Sequence, residues 1–72
     1  MGDYISSGAI KVIEVIGVSE KSWEDAVGQA VAKASESVKG ITGVEVISET
    51  ARVAEGKVVQ YNATVKLAFV VS

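Results

Sequence analysis

The sequence contains no cysteine and no histidine, and these absences limit both the chemistry and the stability of the chain. Without cysteine there can be no disulfide, and without both residues the usual ligands of structural zinc are missing. A domain of 72 residues buries little surface, so such domains usually depend on disulfides, metals or partners. Since disulfides and the usual zinc ligands are excluded, the sequence predicts self-association.

The same absences argue against an enzyme. The chain has neither the side chain that best transfers protons near neutral pH nor a thiol nucleophile. Its serines have no evident activating base, and no glycine-rich loop of phosphate-binding spacing precedes the predicted helix. We therefore predict a non-catalytic protein.

Basic residues are few, and no long apolar run is present. The lysines and arginines are spread thinly and the formal net charge is -2, so nucleic acid is not expected as a partner. No run approaches the ~18 apolar residues needed to cross a bilayer, so no membrane partner is expected. The N-terminus lacks the basic and apolar segments of a secretory signal. These features favour a cytoplasmic location.

Apolar residues make up 49% of the sequence, and their pattern is clearest in Lys57–Val71. This segment alternates strictly between two parities, which predicts a β-strand with one packed face. At about 3.3 Å per residue it would reach roughly 50 Å, whereas a compact chain of this size has a radius of gyration of about 11 Å. The strand must therefore either curl or project beyond its own subunit. The apolar parity comprises Val59, Tyr61, Ala63, Val65, Leu67, Phe69 and Val71.

The N-terminal part of the chain predicts a tail and a strand. Residues 1–8 are small and polar, and we expect a flexible tail there, followed by a single domain over residues 9–72. Ala9–Val18 is rich in β-branched residues, which favours a strand. Both of its parities are apolar, so both faces are expected to be covered.

Ser19–Lys39 predicts a helix with its entry. Ser22 is suited to the N-cap, and Asp25 occupies the acidic position of a capping box. Gly40 is expected to end the helix. Apolar residues recur at helical period and are mostly small, which lets a helix lie close to a sheet. They are Trp23, Ala26, Val27, Ala30, Val31, Ala34 and Val38.

The remaining segments complete the predicted fold. Ile41–Gly43 is expected to be a connector and Val44–Ala54 a second strand. Glu55 and Gly56 then form a tight turn into Lys57–Val71, so the last two strands form a hairpin. The predicted fold class is α+β, with β-α-β-β order and a three-stranded antiparallel sheet partly wrapped around one helix. Gly17 and Gly43 are interpreted as ordinary turn residues at strand ends.

Four segments together resemble the dodecin family: Lys11–Ser19, Ser22–Ala26, Val44–Val46 and Val65–Phe69. The resemblance runs from about Ile10 to Val70. It implies a hollow homododecamer of β-α-β-β subunits. Flavin-binding members stack flavin rings in pairs at subunit interfaces, and they store or buffer flavin without turning it over.

The resemblance also implies where a ligand would bind. In flavin-binding members the pocket relies on an indole just before the second strand and on a side-chain amide in the third strand. The indole position falls on Gly43 and the amide position on Asn62, so the chain resembles a member that lacks the stacking tryptophan. We expect the ligand site to comprise Gly43, Glu45, Gln60 and Asn62. Trp23, in the first helical turn, is interpreted as a packing residue.

Calcium is the alternative ligand, because some dodecin-like proteins without the indole have been associated with it. Glu45 and Glu49 are the candidate metal ligands and share a parity on the predicted second strand. They would lie about 13 Å apart, so calcium, which needs six to eight oxygens, could be bound only where symmetry gathers several chains. The third possibility is a purely structural assembly without a ligand.

Overall fold

The computed structural model describes residues 7–71 and contains one helix and three strands in the predicted β-α-β-β order. The strands are β1 (Ala9–Ser19), β2 (Ile41–Ala54) and β3 (Lys57–Val71), and the helix is α1 (Trp23–Ser35). Within these residues no helix is long and apolar enough to cross a bilayer. Residues 1–6 of the predicted tail and residue 72 lie outside the described part.

The three strands form one antiparallel sheet in the order β1-β3-β2. The central β3 pairs with β1 over residues 61–71 and with β2 over residues 57–69, and a short turn at Glu55 and Gly56 joins it to β2. Both residues have positive φ, 54° and 78°, as a tight hairpin turn requires. The predicted fold class is therefore confirmed.

Helix α1 begins as predicted but ends earlier. Ser22 is the N-cap, and its hydroxyl accepts a 2.9 Å hydrogen bond from the backbone N–H of Asp25. The Asp25 carboxylate does not close a capping box, because it accepts a 2.7 Å bond from the Ser19 hydroxyl instead. The prediction that the helix continues to Lys39 is wrong. It ends at Ser35, where the Ala34 carbonyl accepts bonds from two successive N–H groups and the last turn tightens.

Strand β2 begins earlier than predicted, so Ile41–Gly43 is not a connector. Ile41 pairs with Phe69 and Gly43 with Ala68, with a bulge between them. The central strand runs on to Val71, and its last residues need hydrogen-bonding partners on this side. Ile41 and Gly43 supply them for Phe69 and Ala68.

The core lies between α1 and the predicted apolar parity of β3, as expected. Ala63, Val65 and Leu67 of β3 are fully buried beneath Ala26 and Ala30 of the helix. Several partly buried residues surround this centre: Ile13, Val15, Val27, Val31, Ala34 and Ile41.

Gly17 is not a turn residue, because it lies buried within β1 directly under the helix. A Cβ at this position would overlap the backbone carbonyl oxygen of Ala26 and lie 3.0 Å from the Ala30 Cβ. Only a residue without a side chain allows α1 to approach β1 this closely. The glycine is therefore part of the helix–sheet contact.

The molecule is elongated, with extents of 51 × 20 × 19 Å and a radius of gyration of 14.3 Å. The 13-residue helix is only about 20 Å long, so it covers only part of the sheet. Of the two options for the long third strand, projection beyond the body of the subunit is the one observed. The helix consequently leaves β2 largely uncovered.

Candidate ligand site on the outer face of the sheet

The predicted ligand residues all lie on the sheet face turned away from α1, which we call the outer face. Val65 and Leu67 of β3 are buried under the helix, so Lys66 between them faces the other way. Residues that pair across antiparallel strands lie on the same face of the sheet. The partners of each outer β3 residue on β1 and β2 therefore also lie on the outer face. The outer face thus carries Ile10, Val12, Glu14, Ile16 and Val18 of β1, Gln60, Asn62, Thr64, Lys66 and Ala68 of β3, and Gly43, Glu45, Ser48, Thr50 and Arg52 of β2.

Gly43 and Glu45 border a shallow depression of about 160 Å³, which we call the Gly43 depression. Val12 and Ala68 supply apolar walls, and Glu45 and Lys66 bring opposite charges to its rim. A Cβ built on Gly43 would meet only the Ala68 Cβ, at 3.5 Å, which is an ordinary contact. The absent side chain at position 43 thus contributes to the depression, and the backbone there can accept a Cβ without a clash.

Lys66 is a site residue that the sequence analysis did not identify. The sequence did place Lys66 on the same face as Gln60 and Asn62, because the three residues share a parity in a strictly alternating strand. Its proximity to Glu45 depends on the pairing of β2 with β3 in this register, which no local pattern reveals.

Gln60 and Asn62 share the outer face as predicted, and they are joined to each other. The Gln60 side-chain amide donates a 2.9 Å hydrogen bond to Oδ1 of Asn62. Arg52 and Thr50 lie opposite them on β2. Asn62 and Lys66 are four positions apart on β3, a distance of about 13 Å along the strand. Within one chain the two amides and the Gly43 depression therefore form two separate groups.

The predicted relationship between Glu45 and Glu49 is wrong, because the two carboxylates lie on opposite faces of β2. Glu45 pairs with Lys66 on the outer face, whereas Glu49 pairs with the buried Ala63 on the helix side. A bulge at Ile47 inserts one residue between them and reverses the alternation. No group of three or more acidic residues that could hold a metal occurs in residues 7–71.

Trp23 lies on the helix side of the sheet, away from the Gly43 depression. Its ring stands edge-on to Tyr61, with centroids 4.9 Å apart and planes at 76°. Its indole N–H donates a 2.8 Å hydrogen bond to the Thr50 carbonyl. These contacts support the interpretation of Trp23 as a packing residue that ties the start of α1 to β2 and β3.

A larger groove of about 470 Å³, which the sequence analysis missed, lies along the free edge of β1 and the side of α1. Its lining is mainly apolar and contains no predicted site residue. The lining residues are Val15, Ile16, Gly17, Val18, Gln29, Ala30, Lys33 and Ala34.

A three-stranded antiparallel sheet with one covering helix and an open, partly apolar outer face defines a small α+β protein. The sequence matches the model of the dodecin family over residues 9–72, and the chain belongs to that family. It is 36% identical over 59 residues to the calcium dodecin of Mycobacterium tuberculosis, covering 82% of this chain and 83% of that protein.

Solved structures agree with this assignment. The dodecin of Streptomyces coelicolor superposes with a TM-score of 0.90 at 28% identity, covering 94% of this chain and 97% of its own. The crystal structure of the M. tuberculosis calcium dodecin, a calcium-chelating antigen with a calcium-binding site, gives a TM-score of 0.79 at 35% identity. That match covers 90% of this chain and 93% of the calcium dodecin.

Proposed function

We propose that this protein is a non-catalytic dodecin that assembles into a closed homododecamer and binds a small ligand between its subunits. The observation that carries the proposal is the imbalance between its core and its surface. Only five hydrophobic residues are buried among the described residues, three of them alanines, while twelve large hydrophobic residues are exposed. So many exposed large apolar side chains on so small a domain support an interface rather than a monomer surface. The cytoplasmic location remains part of this proposal.

The proposed ligand site is the Gly43 depression, completed by a neighbouring subunit. Alone it is too small and too open to enclose a flavin-sized molecule, since ligand pockets usually measure about 300–1,000 Å³. Two such depressions facing each other would double the volume and provide apolar walls on both sides. The Gln60–Asn62 amides belong to the same pocket only if they come from another subunit.

The first candidate ligand is flavin, bound without an indole. Position 43 supplies no ring, and the single tryptophan is engaged with Tyr61 and Thr50 on the other face. Each aromatic stacking pair contributes about 0.5–1.5 kcal/mol beyond area burial. We therefore propose weaker flavin binding than an indole at this position would provide, by roughly two- to ten-fold per pair.

Riboflavin fluorescence quenching tests the flavin proposal. Gly43→Trp should lower the dissociation constant by roughly two- to ten-fold for each stacking pair formed, because the added ring can stack and a Cβ at position 43 makes only an ordinary contact. Gly43→Ala is the matched control, since it fills the position without adding a ring, and should leave binding close to that of the unaltered protein. If Gly43→Trp and Gly43→Ala bind riboflavin equally, the depression is not the flavin site.

The second candidate is calcium, favoured by the 36% identity to the calcium dodecin. Because Glu45 and Glu49 face opposite ways, one chain cannot present both to one ion. A site must combine outer-face Glu45 carboxylates of several subunits to approach the six to eight oxygens calcium needs. Calcium should then raise the melting temperature and a chelator should lower it. Glu45→Gln should abolish this response and Glu49→Gln should not. An unaltered calcium response in Glu45→Gln would exclude this site.

A further inference from the structure

Three charged residues cross the outer face at one level, and we propose that two of them, Lys66 and Glu45, form a self-complementary contact between two copies of this chain. The residues are Glu14 on β1, Lys66 on β3 and Glu45 on β2, which we call the charged row. We infer that Lys66 of each copy pairs with Glu45 of the other across a two-fold axis. This inference rests on the proposed assembly, because it names what covers the outer face.

The strand register places the three residues side by side. Glu14 pairs with Lys66 in the β1–β3 ladder, and Glu45 pairs with the same Lys66 in the β2–β3 ladder. Adjacent strands lie about 4.8 Å apart, so the row is roughly 10 Å long. All three side chains are exposed. The charges thus alternate minus, plus, minus across the sheet.

The charged row interrupts an otherwise apolar strip of β1. Ile10 and Val12 lie on one side of Glu14, and Ile16 and Val18 lie on the other, with exposed fractions of 47–63%. With the axis between Lys66 and Glu45, β2 and β3 of the two copies lie over each other, and this strip and Glu14 lie at the margin of the contact. Carboxylates and an ammonium group withdrawn from water need partners of opposite charge.

Within one chain, Lys66 forms no ion pair with Glu14 or Glu45 in the described residues. Between residues 7 and 71 the structure shows one ion pair within 4.0 Å, at 3.8 Å between Lys33 and Glu36 of the helical region. Lys66 therefore stands between two carboxylates without a close contact to either. The charges of Glu14, Lys66 and Glu45 therefore remain available to a second molecule.

A second copy of this chain is the partner that fits, because the pair Lys66 and Glu45 is its own complement. Two rows related by a two-fold axis between Lys66 and Glu45 place each lysine opposite the other copy's glutamate, which forms two equivalent pairs. The absent side chain at Gly43 lets the partner approach on this side. Glu14 is flanked instead by the branched, exposed Val12 and Ile16. The same axis would bring the two Gly43 depressions together.

Charge reversal tests this pairing by native mass spectrometry and sedimentation at low salt. Lys66→Glu and Glu45→Lys should each raise the chain concentration needed for half-assembly at least ten-fold, since each places like charges together twice. The swapped variant carrying both changes should restore assembly, because it exchanges the two partners. Glu14→Lys makes the same change in net charge as Glu45→Lys and should have little effect.

The outcomes separate this inference from the proposed function. A monomeric unaltered protein would overturn both. Normal assembly of the unaltered protein, with Glu14→Lys as damaging as Glu45→Lys or with no recovery in the swapped variant, would overturn the pairing alone. Far-UV circular dichroism establishes that each variant is folded. Lys66→Gln, Glu45→Gln and the variant carrying both changes repeat the test without reversed charges. If the effects of the two single changes on assembly add up in the double variant, Lys66 and Glu45 do not pair directly.

Discussion

The indole of Trp23 meets Tyr61 edge-on at 4.9 Å and at the same time donates its N–H to the Thr50 carbonyl at 2.8 Å. One side chain at the first position of the helix thus holds both strands of the hairpin. Thr50 and Tyr61 lie in the part of the hairpin toward its turn, beyond the small core around Leu67. This contact extends the packed region outward from that core.

Trp23→Phe should therefore lower the melting temperature by removing the hydrogen bond while keeping an aromatic ring. A hydrogen bond of this kind contributes about 0.5–1.5 kcal/mol to stability. Trp23→Ala should cost about 0.5–1.5 kcal/mol more, because the contact with the Tyr61 ring is also lost. Circular dichroism melts at a fixed chain concentration measure both effects. Equal stability of Trp23→Phe and the unaltered protein would show that the Thr50 bond contributes nothing.

Gly17→Ala should destabilise the protein strongly, by about 3 kcal/mol or more, because the new methyl group overlaps the Ala26 carbonyl and forces α1 from the sheet. Gly28→Ala is the matched control. Position 28 is an exposed helical glycine with no atom near the added methyl, so alanine there should stabilise the helix by about 0.5–1 kcal/mol. Urea unfolding of the two variants should show shifts of opposite sign. A tolerated Gly17→Ala would mean that the helix is not held this close.

Ser19→Ala should destabilise the entry to the helix. The buried Ser19 hydroxyl donates to the Asp25 carboxylate at 2.7 Å and accepts the Lys21 N–H at 2.8 Å. Its loss leaves both partners without this bond, at a cost of about 1–3 kcal/mol. Ser35→Ala, at the exposed end of α1, should change the melting temperature little. If both alanine variants melt alike, the Ser19 bonds do not contribute to stability.

Ile16→Lys should weaken assembly without unfolding the subunit. Ile16 is 63% exposed on the outer face, so its substitution removes little from the core of a single chain. Burying such a side chain in an interface is worth roughly 2 kcal/mol, which corresponds to about a 30-fold change in association. Ala32→Lys adds the same charge on the exposed face of the helix and is the control. Analytical ultracentrifugation over a concentration series measures the difference. Equal assembly of both variants would show that Ile16 lies outside every interface.

Much of the candidate site could be anticipated from the chain, and its arrangement could not. The shared face of Gln60 and Asn62 follows from strict alternation in β3. The family resemblance identified Gly43 as the position without a ring, and the structure shows a depression there whose backbone can accept a Cβ. The separation of the amides from Gly43 appears only when β2 is placed in register against β3.

What the sequence determined by itself is the set of elements and the face each presents, because side-chain periodicity is a local property of strand and helix geometry. Alternation in Lys57–Val71 and small apolar residues at helical period predicted the core. The β-branched residues of Ala9–Val18 and the turn at Glu55 and Gly56 completed the order β-α-β-β. Tertiary structure alone decided the strand order, the end of the helix and the role of Gly17. It also decided the bulge at Ile47, which turns Glu49 away from Glu45. A bulge and a register depend on which strands pair, and that is settled by contacts between residues distant in the chain.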